Sequence, residues 1–75
     1  MNEILEYIKQ NALLDRSKAL LSLTLLYQKS VGIGDHSTED YYKNIDEAFE
    51  LFCKAEEQIQ HLQVLQKHLE RNETS

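Results

Sequence analysis

Proline and tryptophan are absent from the chain, and its 75 residues include only two glycines and one cysteine. Because proline removes a backbone donor and clashes with the preceding helical turn, its absence leaves long helices uninterrupted. The single cysteine, Cys53, excludes an intrachain disulfide. The start of the sequence shows no basic stretch followed by an apolar run and a small-residue cleavage site, so we predict a cytosolic, cytoplasmic protein.

Clustered positive charge and long apolar runs are missing as well. The eight basic residues are spread singly and the formal net charge is -5, whereas nucleic-acid binders normally present a basic stripe to the phosphates. The apolar run ALLSLTLLY has nine residues, against roughly 20 needed to cross a bilayer. We therefore predict no nucleic acid and no membrane as partners. With 41% hydrophobic and 28% charged residues, the composition is that of one small folded domain.

Residues 3 to about 31 form the first predicted helix, since they contain neither Gly nor Pro and are rich in good helix formers. Apolar residues three and four apart mark one helical stripe, which comprises Leu5, Ile8, Ala12, Ala19, Leu23 and Leu26. A second stripe beside it comprises Leu13, Leu20, Tyr27 and Val31. Between Ala19 and Tyr27 the helix is apolar on almost every side, which predicts burial by more than one neighbouring helix.

The second predicted helix, residues 38 to about 70, has the more regular pattern. Residues alternately four and three apart form a seam for a partner helix, namely Tyr41, Ile45, Ala48, Phe52, Ala55, Ile59, Leu62, Gln66 and Leu69. Ala48 and Ala55 alternate with larger residues, so a partner backbone is expected to come close at the alanines. Phe49, Leu51 and Leu65 widen the stripe, which is typical of a bundle helix. Residues 71 to 75 are predicted to fray.

The stretch VGIGDHSTED, residues 31 to 40, separates the two helices. Gly32 suits a left-handed cap at the end of the first helix. Ser37 with Asp40 resembles a capping box for the second helix, and Thr38 is an alternative cap. A loop over residues 32 to 37 brings the helices side by side and antiparallel. The predicted fold is therefore an all-α two-helix hairpin that forms a single domain over residues 1 to 75.

A lone hairpin has one seam and would leave much of its apolar surface in water. We therefore predict self-association, as a homodimer or higher oligomer, with two hairpins forming a four-helix bundle by two-fold symmetry. The residues assigned to the oligomer core are Leu20, Leu23, Leu26, Ile45, Phe49, Phe52, Ile59 and Leu62.

No motif for catalysis, a cofactor or a metal is recognisable. Cys53 has no base at an identifiable spacing, and the Glu-x-x-His pattern of di-iron bundles is absent. His36 lies among acidic residues without the fixed spacing of a metal site. We predict a non-enzymatic protein with no cofactor, no catalytic residue and no metal ligand.

The segment VGIGDHS, followed by an acidic helix with a heptad pattern, resembles small helical-hairpin proteins found among the accessory proteins of tailed bacteriophages. The resemblance covers the loop and the adjoining turns. It implies a viral accessory protein that acts by binding, and it carries over no catalytic residue.

Two functions are open at the level of the sequence. The first is a non-enzymatic, homo-oligomeric helical protein that acts through protein-protein interaction, with an acidic outer side of the second helix that suits a basic protein partner. The alternative is a protein that sequesters a nucleotide or a metal at a subunit interface. The candidate ligand or partner residues for that site are Gly32, Gly34, Asp35, His36 and Ser37.

Overall fold

The computed structural model describes the backbone of residues 2–32 and 39–74, and the side chains of residues 2–29 and 40–72. Two helices account for almost all of it. Helix α1 spans Glu3–Gly32 and helix α2 spans Glu39–Thr74. They pack against each other along their length and form a rod with extents of 61 × 15 × 15 Å. The predicted all-α hairpin is confirmed.

Helix α1 begins with a cap that the sequence pattern did not reveal. The Asn2 side chain accepts a hydrogen bond at its Oδ1 from the backbone N–H of Ile4, at 2.7 Å. Asparagine is a preferred residue at this position because its short side chain satisfies a backbone donor that the helix cannot. Glu3 and Glu6 lie in the first turn and Lys29 lies in the last, which is the charge order that the helix dipole favours.

The seam between the helices follows the predicted heptad pattern. Its buried residues are Leu5, Ala12 and Ala19 of α1 and Tyr41, Ala48, Ala55 and Leu62 of α2. Ala12 and Ala55 are exposed by no more than 1%. Small side chains at such positions permit close approach of two helix backbones. We call this set of seven residues the alanine seam.

The helix ends differ from the predicted ones. Helix α1 includes Gly32, and within the described residues no glycine has a positive φ, so the predicted left-handed cap at Gly32 is corrected. Glycine adopts helical φ as readily as left-handed φ, and its presence alone does not fix the conformation. Helix α2 continues to Thr74, past the predicted end near residue 70. Its last turns hold side-chain hydrogen bonds four residues apart, from Gln66 to Glu70 and between Asn72 and His68.

Candidate interaction surface

Polar contacts between the two helices show how the helices align. The Arg16 Nη1 lies 3.5 Å from the Glu56 Oε2. The Tyr41 hydroxyl donates a hydrogen bond to the backbone carbonyl of Leu26, at 3.1 Å. Because the earlier residue of α1 meets the later residue of α2, the helices are antiparallel. The contacts place residues 16–26 of α1 beside residues 41–56 of α2.

On one broad side of the alanine seam the hairpin presents large apolar side chains. We call this side the aromatic face. It consists of Leu13, Leu20, Leu23 and Tyr27 of α1 and Tyr42, Ile45, Phe49 and Phe52 of α2. Many of these residues are seven apart, and residues seven apart return to nearly the same side of a helix. The aromatic face therefore runs along both helices.

The aromatic face is open in a single hairpin. Phe49 is 55% exposed and Leu20 is 45% exposed. The rings of Phe49 and Phe52 stack with their centroids 6.4 Å apart. Nearer the connecting segment, Leu23, Tyr27 and Ile45 line a groove of about 330 Å³ together with Leu26 and Tyr41. Stacked rings and a neighbouring apolar groove form a surface that another helix could fill.

Beyond the Arg16–Glu56 contact the same side of the hairpin becomes polar. Helical spacing places Glu6 and Gln10 of α1 there, with Gln60, Gln63 and Lys67 of α2, and all five are exposed. Apart from Leu13, the aromatic face thus lies in the half of the hairpin that is nearer the connecting segment. The hairpin is asymmetric along its long axis.

A second exposed apolar stripe lies on α1, off the aromatic face. It comprises Ile4, Tyr7, Leu14, Leu21 and Leu25, which recur at helical spacing, and Leu21 is 62% exposed. We call it the outer stripe. It was not singled out from the sequence because α1 is apolar on nearly every side between Ala19 and Tyr27.

The outward side of α2 has the opposite character. Asp46, Glu50 and Glu57 are exposed there, and helical spacing places them on one side of the helix. The two helices also differ in their net charge. Helix α1 has four basic and three acidic residues, a net charge of +1, while α2 has four basic and nine acidic residues, a net charge of -5.

The chain exposes more surface than a globular protein of its size. Its accessible surface is 6123 Å², whereas a folded monomer of 8.8 kDa exposes about 4,800 Å² by the scaling of area with mass. The excess of about 1,300 Å² exceeds the share that each partner buries in a standard protein interface, about 800 Å². One seam is therefore too little to bring this chain to the compactness of a globular monomer.

The predicted oligomer-core residues occupy several different environments in the hairpin. Leu62 is buried in the alanine seam, Leu20 and Phe49 are exposed, and the others are half-buried, namely Leu23, Leu26, Ile45, Phe52 and Ile59. The prediction that a single hairpin leaves much of ALLSLTLLY and the Phe49 side of α2 in water is confirmed, since Leu21, Tyr27 and Phe49 are all more than half exposed. The structure thus brings Leu20, Leu23, Ile45, Phe49 and Phe52 to one face.

Most of the candidate ligand loop lies outside the described residues. This holds for Gly34, Asp35, His36 and Ser37, while Gly32 is the last residue of α1. Within the part of the chain that the structure describes, no three His, Cys, Asp or Glu side chains are grouped to hold a metal ion, and neither helix is long and apolar enough to cross a membrane. Ligand sequestration at the loop stays a prediction.

No protein-family model, no curated protein and no solved structure matches the chain. The resemblance to accessory proteins of tailed bacteriophages therefore stays a prediction. The class that the fold and the surface define is an all-α helical hairpin with one packed seam and large exposed apolar faces.

Proposed function

We propose that this protein is a non-catalytic helical protein that self-associates and acts by binding another protein. The observation that carries the proposal is the aromatic face, which exposes Leu20 and Phe49 to water in a single hairpin. Monomeric proteins rarely expose large contiguous apolar patches, because covering such a patch is favourable by roughly 25 cal/mol per Å². A four-helix bundle of two hairpins is the simplest assembly that covers it.

The surface that a bundle leaves open suits a second kind of partner. Two hairpins joined through their aromatic faces keep the outward side of α2 in solvent, with Asp46, Glu50 and Glu57 exposed on it. Concentrated negative charge attracts a basic protein surface and speeds the encounter. Binding without chemistry is also what the resemblance to phage accessory proteins implies. The exposed free thiol of Cys53 suits a reducing compartment, so we propose the cytoplasm as the location.

Sedimentation equilibrium over a range from nanomolar to high micromolar protein tests the self-association. We expect the mass to rise from that of one chain to that of two or more chains. A chain that stays folded and monomeric at the highest concentration overturns the proposal. The partner arm of the proposal is tested by titrating the assembled protein with a basic helical peptide at low and at physiological salt, with a Glu50→Gln, Glu57→Gln double variant as the matched control.

A further inference from the structure

All of the aromatic face except Leu13 lies in one half of the hairpin, and this position restricts how a second copy can cover it. Two identical hairpins can meet face to face in two ways that keep two-fold symmetry. In the parallel arrangement the axis runs along the hairpins, both connecting segments lie at the same end, and α1 of each chain lies opposite α2 of the other. In the antiparallel arrangement the axis runs across the hairpins, and each helix lies opposite its own copy.

Matching of apolar surface favours the parallel arrangement. With the hairpins in full overlap, it places Leu20 and Phe49 opposite the aromatic face of the other copy. Full overlap in the antiparallel arrangement would instead place this face against the polar half, which carries Gln60, Gln63 and Lys67. Burying an apolar surface against unpaired polar groups is unfavourable because those groups lose hydrogen bonds to water. An antiparallel pair avoids this only by sliding until the two rods overlap at one end.

Charge favours the same arrangement. The antiparallel pair sets α2 beside its own copy, which brings together two helices of net charge -5, whereas the parallel pair sets each α2 beside an α1 of net charge +1. Like charges near one another at a surface repel, and unlike charges attract, within a screening length of about 8 Å at physiological salt. The matching of apolar surface and the distribution of charge therefore favour the same arrangement.

We infer that the aromatic face binds a second copy of this chain in the parallel arrangement, with α1 of one copy against α2 of the other and both connecting segments at one end. This inference rests on the self-association proposed above. The outer stripe of α1 and the acidic side of α2 stay outside the interface. Both chains then contribute to one compact bundle that is no longer than a single hairpin.

A distance between two identical labels separates the arrangements. A spin label is placed on the Cys53→Ser, His68→Cys variant, because His68 is exposed, lies off the aromatic face and is far from its centre. In the parallel dimer the two labels lie at the same end, within roughly 30 Å, twice the 15 Å thickness of one hairpin. In the slid antiparallel dimer they lie about 60 Å apart, because some 40 residues of helical rise at about 1.5 Å separate them.

The measured distance tests the parallel arrangement separately from self-association. Sedimentation on the labelled sample first establishes that it is dimeric. A dimer with the short distance supports the parallel arrangement. A dimer with only the long distance overturns the arrangement and leaves self-association standing, while a monomer overturns both. Small-angle scattering gives an independent check, since the parallel dimer keeps a maximum dimension near the 61 Å of one hairpin and the slid dimer is longer.

Neighbouring leucines test which face is used. Leu20 belongs to the aromatic face and Leu21 to the outer stripe, and both are exposed in the single hairpin. Leu20→Ala is expected to weaken dimerisation by about tenfold or more, because two copies of the side chain leave the interface. Leu21→Ala makes the same chemical change one residue away. It is expected to change the dissociation constant of the dimer by less than about twofold. A larger loss from Leu21→Ala than from Leu20→Ala would overturn the choice of face.

Discussion

The alanine seam buries alanines at its centre, whereas the aromatic face exposes large side chains to water. Within one chain, small residues such as Ala12 and Ala55 are the most buried, while large ones such as Phe49 and Tyr27 are exposed. In an ordinary small protein the largest apolar residues fill the interior. The difference shows that close approach of two backbones and coverage of large apolar surface are separate tasks here. The hairpin achieves the first, and we propose that self-association achieves the second.

Phe52 lies where the two surfaces meet, so its truncation is expected to have the largest effect. Phe52→Ala should lower the free energy of unfolding by about 3 to 5 kcal/mol, and it should also weaken association. Urea unfolding at two protein concentrations measures both effects. Glu47→Ala, on an exposed position of the same helix, is the control and should change stability by less than about 0.5 kcal/mol. A loss of stability with unchanged association would assign Phe52 to the seam alone.

Enlarging the seam from inside is expected to have the next largest effect. Ala55 is 0% exposed, so Ala55→Leu forces the helices apart or the new side chain into strain, at a cost of about 1 to 3 kcal/mol. Thermal unfolding followed by circular dichroism measures the change. His61→Leu adds a leucine to an exposed position of α2 and should stay within about 0.5 kcal/mol. Equal effects of the two leucines would contradict a seam that depends on small residues.

The smallest expected effect concerns the hydrogen bond between the helices near the connecting segment. Tyr41→Phe keeps the buried ring and removes the hydroxyl that donates to the Leu26 carbonyl at 3.1 Å. We expect a loss of about 0.5 to 1.5 kcal/mol, the net value of a typical protein hydrogen bond. Tyr42→Phe is the matched control, since Tyr42 is exposed, and should change stability less. A Tyr42→Phe loss as large as that of Tyr41→Phe would show that the hydroxyl of Tyr41 is not what stabilises this end.

The fold was predictable because the apolar residues of α2 recur at a regular spacing on one side of the helix, while its other sides are mostly polar. Tyr41, Ala48, Ala55 and Leu62 recur every seven residues, and each of them is buried in the structure. In α1 the same reasoning found Leu5, Ala12 and Ala19 but gave little guidance between Ala19 and Tyr27, where leucines lie on every side. The outer stripe was missed for that reason, because periodicity cannot single out a face that differs little from its neighbours.

Contacts between the helices were not predictable in the same way. Arg16 and Glu56 are forty positions apart, and nothing in either segment indicates the other until the alignment of the helices is known. The pair is also partly exposed, with side-chain exposures of 39% and 42%, and such pairs contribute about 0 to 1 kcal/mol. Weak contacts between residues far apart in the chain cannot be predicted from the pattern of a single sequence. The inference of a parallel arrangement of two copies likewise required the positions of both helices.

The spacing of the alanines has a consequence for how the helices choose their alignment. Ala12 and Ala19 are seven residues apart, and so are Ala48 and Ala55. Sliding one helix past the other by one heptad, about 10 Å, would keep alanines on the side that faces the partner helix. Small residues that repeat every seven positions therefore permit several alignments of the two helices with similar packing. The contacts that are unique along the chain, Arg16 with Glu56 and the Tyr41 hydroxyl with Leu26, select one of them.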